Sequence, residues 1–163
     1  MAEATLSGAT HPILENDYAS EWMGIKVLKL DDGHATIRMT LRQEMLNGFG
    51  MAHGGMIFAF GDTAFALACN QSTPSPADEG NITVASGVDI NFLKPAFTGQ
   101  VITAVANRRA HAGRSGLYDV QIYAADPHPA DSPAGSPAGA GTDETPGELI
   151  AEFRGRSRTI SKK

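Results

Sequence analysis

NGFGMAHGGMIFAFGDTAFALACN, residues 47–70, is the stretch of the sequence that determines the fold. Its first part is polar and rich in glycine, which is typical of a loop that leads into a helix. From Met56 to Cys69 it is apolar on every side except for one carboxylate, Asp62. A helix without a polar stripe must be enclosed by the rest of the fold, so the pattern predicts a buried helix that carries one charge. The apolar run is too short to span a bilayer.

The start of this helix is suited to stabilising a developing negative charge. The first N–H groups of a helix lack intrahelical acceptors, and the helix dipole is positive there. In the triplet His53-Gly54-Gly55, glycine lets a ligand approach the backbone closely because it has no Cβ. The sequence therefore predicts a donor to a carbonyl oxygen at this point. A tight turn at the glycines and a structural, hydrogen-bonded His53 remain alternatives.

Asp62 is the second element of this candidate site. It follows Gly54 by eight residues, which corresponds to about 12 Å along a helix. One thioester or ester cannot contact both groups of the same helix. If both act on one carbon atom, they come from two copies of the chain related by a two-fold axis. The alternative is that Asp62 is a structural charge satisfied by hydroxyl or backbone groups.

Composition excludes several classes of protein. The net charge of −5 provides no basic excess for neutralising phosphates, which disfavours a nucleic-acid partner. Cys69 is the only cysteine, so neither a disulfide framework nor a cysteine-based zinc site is expected. The five histidines are scattered without paired ligand spacing, and no metal is predicted. The N-terminal residues lack the features of an export signal, and we expect a cytoplasmic protein without a membrane partner.

The rest of the chain predicts a single α+β domain spanning residues 1–163, in which a curved antiparallel sheet wraps the central helix. Residues 1–10 are expected to be disordered, and residues 125–147, rich in proline and glycine, are expected to form a long loop insertion. A helix is predicted over His11–Met23. Strands are predicted over Ile25–Leu30, His34–Leu41, Ile82–Leu93, Gln100–Ala110, Gly116–Ala124 and Glu148–Thr159.

Motifs in two parts of the chain resemble those of the hotdog-fold acyl-CoA thioesterases, of the PaaI type that acts in phenylacetic acid degradation. These motifs are Asn47, the triplet His53-Gly54-Gly55, the run DTAFA from Asp62, the pair Cys69-Asn70 and the segment INFLKP from Ile90 to Pro95. The resemblance extends from about His11 to Arg158. It implies the hotdog fold and hydrolysis of acyl-CoA thioesters.

The resemblance also implies catalytic roles for particular residues. Asp62 would act on the thioester, as a general base toward water or as a nucleophile, and the sequence leaves this choice open. The Gly54 amide would stabilise the oxyanion. Asn47 would orient the water or the carbonyl group. His53 would support the loop and form a hydrogen bond near the thioester. In related enzymes a serine on the strand across the interface assists the water. Ser86 lies in that region, and Gly87 is the alternative match to this position.

Substrate binding is predicted at Gly55, Thr63, Ser86, Lys94 and Arg114. The two basic residues are candidates for contacts with CoA phosphates, because basic residues are concentrated after the helix. Three aromatic residues could line an acyl pocket or belong to the core: Phe58, Phe65 and Phe92.

The expected substrate is a phenylacetyl-CoA or hydroxyphenylacetyl-CoA thioester, with CoA as part of the substrate and no separate cofactor. A thioesterase for medium-chain or other aryl groups and a non-catalytic acyl-CoA-binding dimer are the alternatives. A hydratase of the same fold is disfavoured, because Asp62 is in the thioesterase position. The resemblance implies a homodimer, and a dimer-of-dimers tetramer.

Overall fold

The computed structural model describes residues 11–127 and 146–162 of the 163-residue chain. Six antiparallel strands form one sheet in the order β1-β2-β4-β5-β6-β3, and helix α2 (Gly54–Cys69) packs against one face of it. The predicted α+β fold is confirmed. The strands are β1 (Lys26–Asp31), β2 (His34–Thr40), β3 (Asn81–Phe92), β4 (Val101–Ala112), β5 (Ser115–Ala125) and β6 (Glu148–Ser161).

Helix α2 begins and ends where the sequence supplies a cap. His53 is its N-cap, and Asn70 follows its last turn with both the backbone N–H and the side-chain amide donating to the Ala66 carbonyl. The glycine at position 61 lets the helix approach the sheet closely, since a Cβ there would lie 3.1 Å from atoms of Ile122 and Phe153. The buried side of α2 consists of Ile57, Phe60, Gly61, Ala64, Phe65, Leu67 and Ala68.

The opposite side of α2 is open in a single chain, which corrects the expectation that the rest of the fold encloses the helix completely. Gly55 and Phe58 are exposed, and Asp62 is partly exposed on the same side. Residues spaced by three or four share one face of a helix, so these positions form one uncovered strip. The strip includes an aromatic side chain that is 37% exposed.

The prediction of one continuous helix over His11–Met23 is wrong. A short 3-10 turn (Pro12–Leu14) is followed by helix α1 (Tyr18–Met23), and Asn16 between them has a positive φ of 62°. The break has a local cause. The His11 ring accepts a hydrogen bond from the Ile13 N–H, while Asp17 caps the second helix by accepting from the Ser20 N–H. Each cap starts its own helical segment.

Strand β3 lies at the edge of the sheet and pairs only with β6 among the described residues. It is twelve residues long, and a bulge between Ala85 and Gly87 shifts its register. A long edge strand leaves a row of backbone N–H and C=O groups that a further strand can pair with. The edge of β3 and the open strip of α2 are therefore two surfaces that a second copy of the chain could cover.

The six predicted strands match the observed ones to within a few residues, and β1 and β2 are joined by a hairpin turn at Asp32-Gly33. The predictions for residues 1–10 and for most of the loop 125–147 lie outside the described residues; the loop is expected to connect β5 and β6. Within the described ranges, no helix is long and apolar enough to cross a membrane.

Candidate functional site

The first turn of α2 leaves one N–H group available to a ligand. The His53 Nδ1 accepts a hydrogen bond from the Gly55 N–H at 2.9 Å, and the His53 carbonyl accepts from Met56 and Ile57. In the part of the chain that is described, the Gly54 N–H has no acceptor. Because Nδ1 is an acceptor, a neutral His53 carries its proton on Nε2. The histidine thus caps the helix and leaves Gly54 as the free donor.

Asn47 lies in the loop before this helix, with its side-chain oxygen already engaged. The Oδ1 atom accepts hydrogen bonds from the Phe49 N–H at 2.9 Å and from the Met51 N–H at 3.3 Å. The Asn47 backbone N–H donates to the Met51 carbonyl at 2.8 Å. These bonds close a tight loop and fix the orientation of the amide. The free end of Asn47 is therefore its NH₂ group, which donates hydrogen bonds and does not accept them.

A cavity of about 360 Å³ lies beside these two groups. Its walls are mainly apolar, and Asn47 and Lys94 contribute the polar side chains. Apolar walls with a few placed polar groups are typical of small-molecule sites. The lining consists of Asn47, Met51, Ala52, Gly54, Ile57, Phe92, Leu93, Lys94, Pro95, Ala96 and Ile150.

Asp62 lies two turns further along α2, on the open strip and away from the cavity lining. Burial raises the pKa of its carboxyl group above the ordinary value of 3.8, and no hydrogen bond or cation within the described residues opposes this effect. The observed helix spans both residues, so Asp62 and Gly54 of one chain are separated by about 12 Å along the axis. One chain therefore does not bring the donor and the carboxylate together.

Two of the predicted substrate-binding residues have their polar groups directed elsewhere. The Gly55 N–H is occupied by His53, so it is not free to bind a substrate. The Thr63 hydroxyl lies 3.3 Å from the Ser20 hydroxyl of α1, on the side of α2 that faces the N-terminal segment. Neither Gly55 nor Thr63 is among the residues that line the cavity.

Ser86 lies at the bulge of the edge strand β3. Its hydroxyl donates to the Arg156 carbonyl at 3.1 Å, and the side chain is exposed. Ser86 is not among the cavity-lining residues of its own chain.

The two predicted CoA-binding residues are far apart in one chain. Lys94 lines the cavity and forms an ion pair with Glu148. Arg114 lies in the turn between β4 and β5, where its carbonyl accepts from the Thr159 N–H. The backbone N–H of Lys94 donates instead to the Ile150 carbonyl, near the other end of β6. At about 3.3 Å per residue, the two sites are separated by roughly 30 Å along the strand.

The three candidate aromatic residues have three different environments. Phe65 is 1% exposed and belongs to the core, where its ring meets Tyr118 edge to face. Phe58 lies on the open strip of α2. Phe92 lines the cavity and is 55% exposed. The sequence did not identify Met51 and Ile150 as cavity residues, because their apolar character is equally typical of the core.

A larger cavity, about 740 Å³, lies at the opposite end of α2 and includes Cys69. The Cys69 thiol donates to the Phe65 carbonyl, and burial raises its pKa to about 12. A thiol that remains protonated at neutral pH is a poor nucleophile. Among residues 11–127 and 146–162, no three His, Cys, Asp or Glu side chains are grouped so as to hold a metal ion.

Comparisons with a family model, with curated relatives and with solved structures all indicate the same family. The model of the thioesterase superfamily matches residues 49–130, which is half of the chain. The acyl-coenzyme A thioesterase PaaI of Escherichia coli K12 is 40% identical over 112 residues, covering 69% of this chain and 75% of that protein.

Two solved structures extend the comparison to the fold. The E. coli PaaI protein from the phenylacetic acid degradation operon has a TM-score of 0.72 and 34% identity, covering 93% of this chain and 90% of that one. A mutant of the phenylacetic acid degradation protein PaaI from Thermus thermophilus has a TM-score of 0.67 and 27% identity, covering 87% of this chain and 98% of that one. These similarities agree with the resemblance found in the sequence.

Proposed function

The chain belongs to the thioesterase superfamily and has its hotdog fold, and from this premise we propose that it hydrolyses acyl-CoA thioesters to a free acid and CoA. The observation that carries the proposal is the free Gly54 N–H at the start of α2, which opens onto an apolar cavity. A thioester carbonyl placed there would receive a hydrogen bond from a donor held rigidly by the helix. Such donors stabilise the oxyanion by a few kcal/mol.

Asn47 supplies a second donor in this mechanism. Its Oδ1 is engaged by two backbone N–H groups, which leaves its NH₂ group to face the carbonyl oxygen. The resemblance allowed Asn47 to orient either the water or the carbonyl group, and the hydrogen bonds favour the carbonyl. His53 acts indirectly: by occupying the Gly55 N–H, it fixes the first turn of α2.

The carboxylate of this mechanism comes from a second copy of the chain. Asp62 lies on the open strip of α2, and the edge of β3 offers backbone groups for pairing. A two-fold pairing of these surfaces would place Asp62 of each copy beside Gly54 of the other. Burial raises the pKa of Asp62, which makes its carboxylate a stronger base toward water. In this pairing, Ser86 would also reach the site from the partner.

Asp62 acts either as a general base toward water or as a nucleophile that forms a mixed anhydride. A single turnover in H₂¹⁸O, followed by mass spectrometry of the peptide that contains Asp62, identifies the nucleophilic route when ¹⁸O enters the protein. Hydrolysis of a mixed anhydride at the aspartyl carbonyl incorporates ¹⁸O into the protein, whereas general-base catalysis places it only in the acid product.

The proposed acyl group is phenylacetyl or hydroxyphenylacetyl, with medium-chain and other aryl groups as the alternative. The similarity to PaaI proteins of phenylacetic acid degradation supports the first choice, and the apolar cavity of about 360 Å³ has room for an aromatic ring. Lys94 at the cavity would bind the anionic CoA portion if Glu148 releases it. Because Arg114 lies in the turn between β4 and β5, roughly 30 Å from Lys94 along β6, we assign it only to a contact made from the partner copy.

We further propose a homodimer that assembles into a tetramer, in the cytoplasm, with no cofactor besides the CoA of the substrate. The whole described chain acts as one domain in this proposal. Thr63 is retained only as a neighbour of Asp62, since its hydroxyl faces α1.

The decisive experiment measures free-thiol release from phenylacetyl-CoA, hydroxyphenylacetyl-CoA and straight-chain acyl-CoAs. Wild type is compared with Asp62→Asn and with the control Asp31→Asn, which makes the same chemical change at an exposed position outside the cavity lining. We expect turnover by wild type and the control, and a loss of at least about a hundredfold in Asp62→Asn. Acyl-CoA binding without turnover in all three proteins would instead identify a non-catalytic acyl-CoA-binding dimer.

A further inference from the structure

We propose that Phe92 is a positioning residue for thioester hydrolysis. Its ring holds the thioester carbonyl in line with the Gly54 N–H, and its place beside the helix start requires glycine at position 54. This inference rests on the proposed function. It concerns the geometry at the helix start, where one aromatic ring and one backbone donor share a wall of the cavity.

The ring of Phe92 points directly at the first residue of α2. An ideal Cβ built on Gly54 would lie 3.2 Å from the Phe92 Cζ atom and 3.6 Å from both Cε atoms. The tip of the ring thus lies beside the space that a side chain at position 54 would occupy. Phe92 is the last residue of β3 and pairs with Ala151 of β6, so the sheet fixes its position relative to the helix.

The exposure of Phe92 argues against a purely structural role. The aromatic residues of the core, Phe60, Phe65 and Phe153, are at most 1% exposed, whereas Phe92 is 55% exposed and lines the cavity. A ring that only filled the core would be covered. In a single chain, Phe92 therefore has one part against the helix start and another part uncovered at the cavity.

The contact restricts what can stand at position 54. The φ angle of Gly54 is not in the left-handed region, so the backbone itself permits alanine. Alanine also has the higher helix propensity. A side chain at position 54 must instead displace the Phe92 ring by a few tenths of an ångström or meet the ligand. If the Phe92 ring is the obstacle, a smaller residue at position 92 should restore activity to a variant with a side chain at position 54. If the ligand is the obstacle, the smaller residue should not restore it.

The test is a double-mutant cycle with Gly54→Ala, Phe92→Leu and the double variant, assayed by kcat and KM for phenylacetyl-CoA. Because small misplacements of a reacting group strongly reduce rate, we expect Gly54→Ala to lose about ten- to a hundredfold in kcat. Phe92→Leu should lose less. The double variant should recover at least about fivefold relative to Gly54→Ala, since contacting residues are coupled.

Two matched controls separate this coupling from general destabilisation. Phe97→Leu makes the same change at a residue that is 47% exposed and does not line the cavity, and we expect wild-type kinetics. Gly55→Ala introduces a Cβ 3.0 Å from the His53 Nδ1 and distant from Phe92, so Phe92→Leu should not rescue it. Thermal unfolding of each variant verifies that it is folded.

A second measurement does not depend on turnover. Binding of a ketone analogue, in which a CH₂ group replaces the thioester sulfur, should show the same coupling between positions 54 and 92 in Kd. Additive effects in both kcat and Kd would refute the role of Phe92 and assign the glycine requirement to the ligand. If wild type hydrolyses thioesters and Asp62→Asn does not, the proposed function stands even when this coupling is absent.

Discussion

A site shared between two copies predicts that two inactive variants restore activity when mixed. The first variant, Gly54→Pro, removes the N–H donor and also adds a side chain beside the Phe92 ring. The backbone tolerates this change, because proline is favoured at the first position of a helix and His53 already has φ −64° and ψ 131°, an extended conformation compatible with a following proline. The second variant, Asp62→Asn, keeps the shape of the side chain and removes its charge. Each alone should lose about 10²- to 10³-fold in kcat.

The expected recovery follows from the helix geometry and from symmetry. Gly54 and Asp62 lie about 12 Å apart on one helix, so each site takes its two groups from different chains. A mixed dimer then has one site with both groups intact and one site with neither. Random association of equal amounts makes about half of all dimers mixed, so the mixture should recover about a quarter of wild-type activity.

The assay uses two affinity tags, so that co-expressed mixed dimers are isolated by tandem purification. Purified mixed dimers should have about half of the wild-type kcat per dimer, and each variant assembled with itself should stay inactive. Circular dichroism and size-exclusion chromatography verify folding and assembly. Mixed dimers that form in good yield but are as inactive as their parents would refute the shared site.

Three other properties can be predicted from the structure. His53→Ala removes the acceptor of the Gly55 N–H and should lower the free energy of unfolding by about 1 kcal/mol, which a denaturant titration measures. Burial raises the pKa of Asp62, so its carboxylate form is lost as pH falls through a value above 3.8. In a plot of kcat/KM against pH, the midpoint of the acid limb should therefore lie above 3.8. This limb should be absent from the residual activity of Asp62→Asn. Gly155→Ala places a Cβ 2.6 Å from the buried Phe65 ring, and the resulting overpacking should destabilise the protein by about 1–3 kcal/mol, measured by thermal and denaturant unfolding.

The fold was predictable from the sequence because each element is signalled locally. The apolar run from Met56 to Cys69 identifies the central helix, and alternating β-branched residues identify the strands. The N-terminal helix was predicted wrongly, since periodicity over His11–Met23 does not reveal that Asn16 adopts a positive φ and that Asp17 starts a new helix. Competing caps decide such boundaries, and they depend on which hydrogen bonds form.

The candidate site was predictable only in part, for a physical reason. Residue type and spacing indicate a donor at Gly54 and a carboxylate at Asp62, but they do not specify which hydrogen-bonding groups are already occupied. The structure shows that the Gly55 N–H and the Asn47 Oδ1 are engaged, and that the Thr63 hydroxyl faces α1. It also separates Lys94 from Arg114 by the length of β6. Whether these residues act in catalysis stays a prediction.

The position of Gly54 and Asp62 on one continuous helix restricts how the chain can change in length. Each residue inserted between them would move Asp62 by about 1.5 Å and turn it by about 100° around the axis, away from the open strip. Deletions would do the same in the opposite sense. The connection between β5 (ending at Ala125) and β6 (starting at Glu148) has no such restriction, because the strands it joins are already adjacent in the sheet. Insertions should therefore be tolerated after Ala125 and abolish activity within the first two turns of α2.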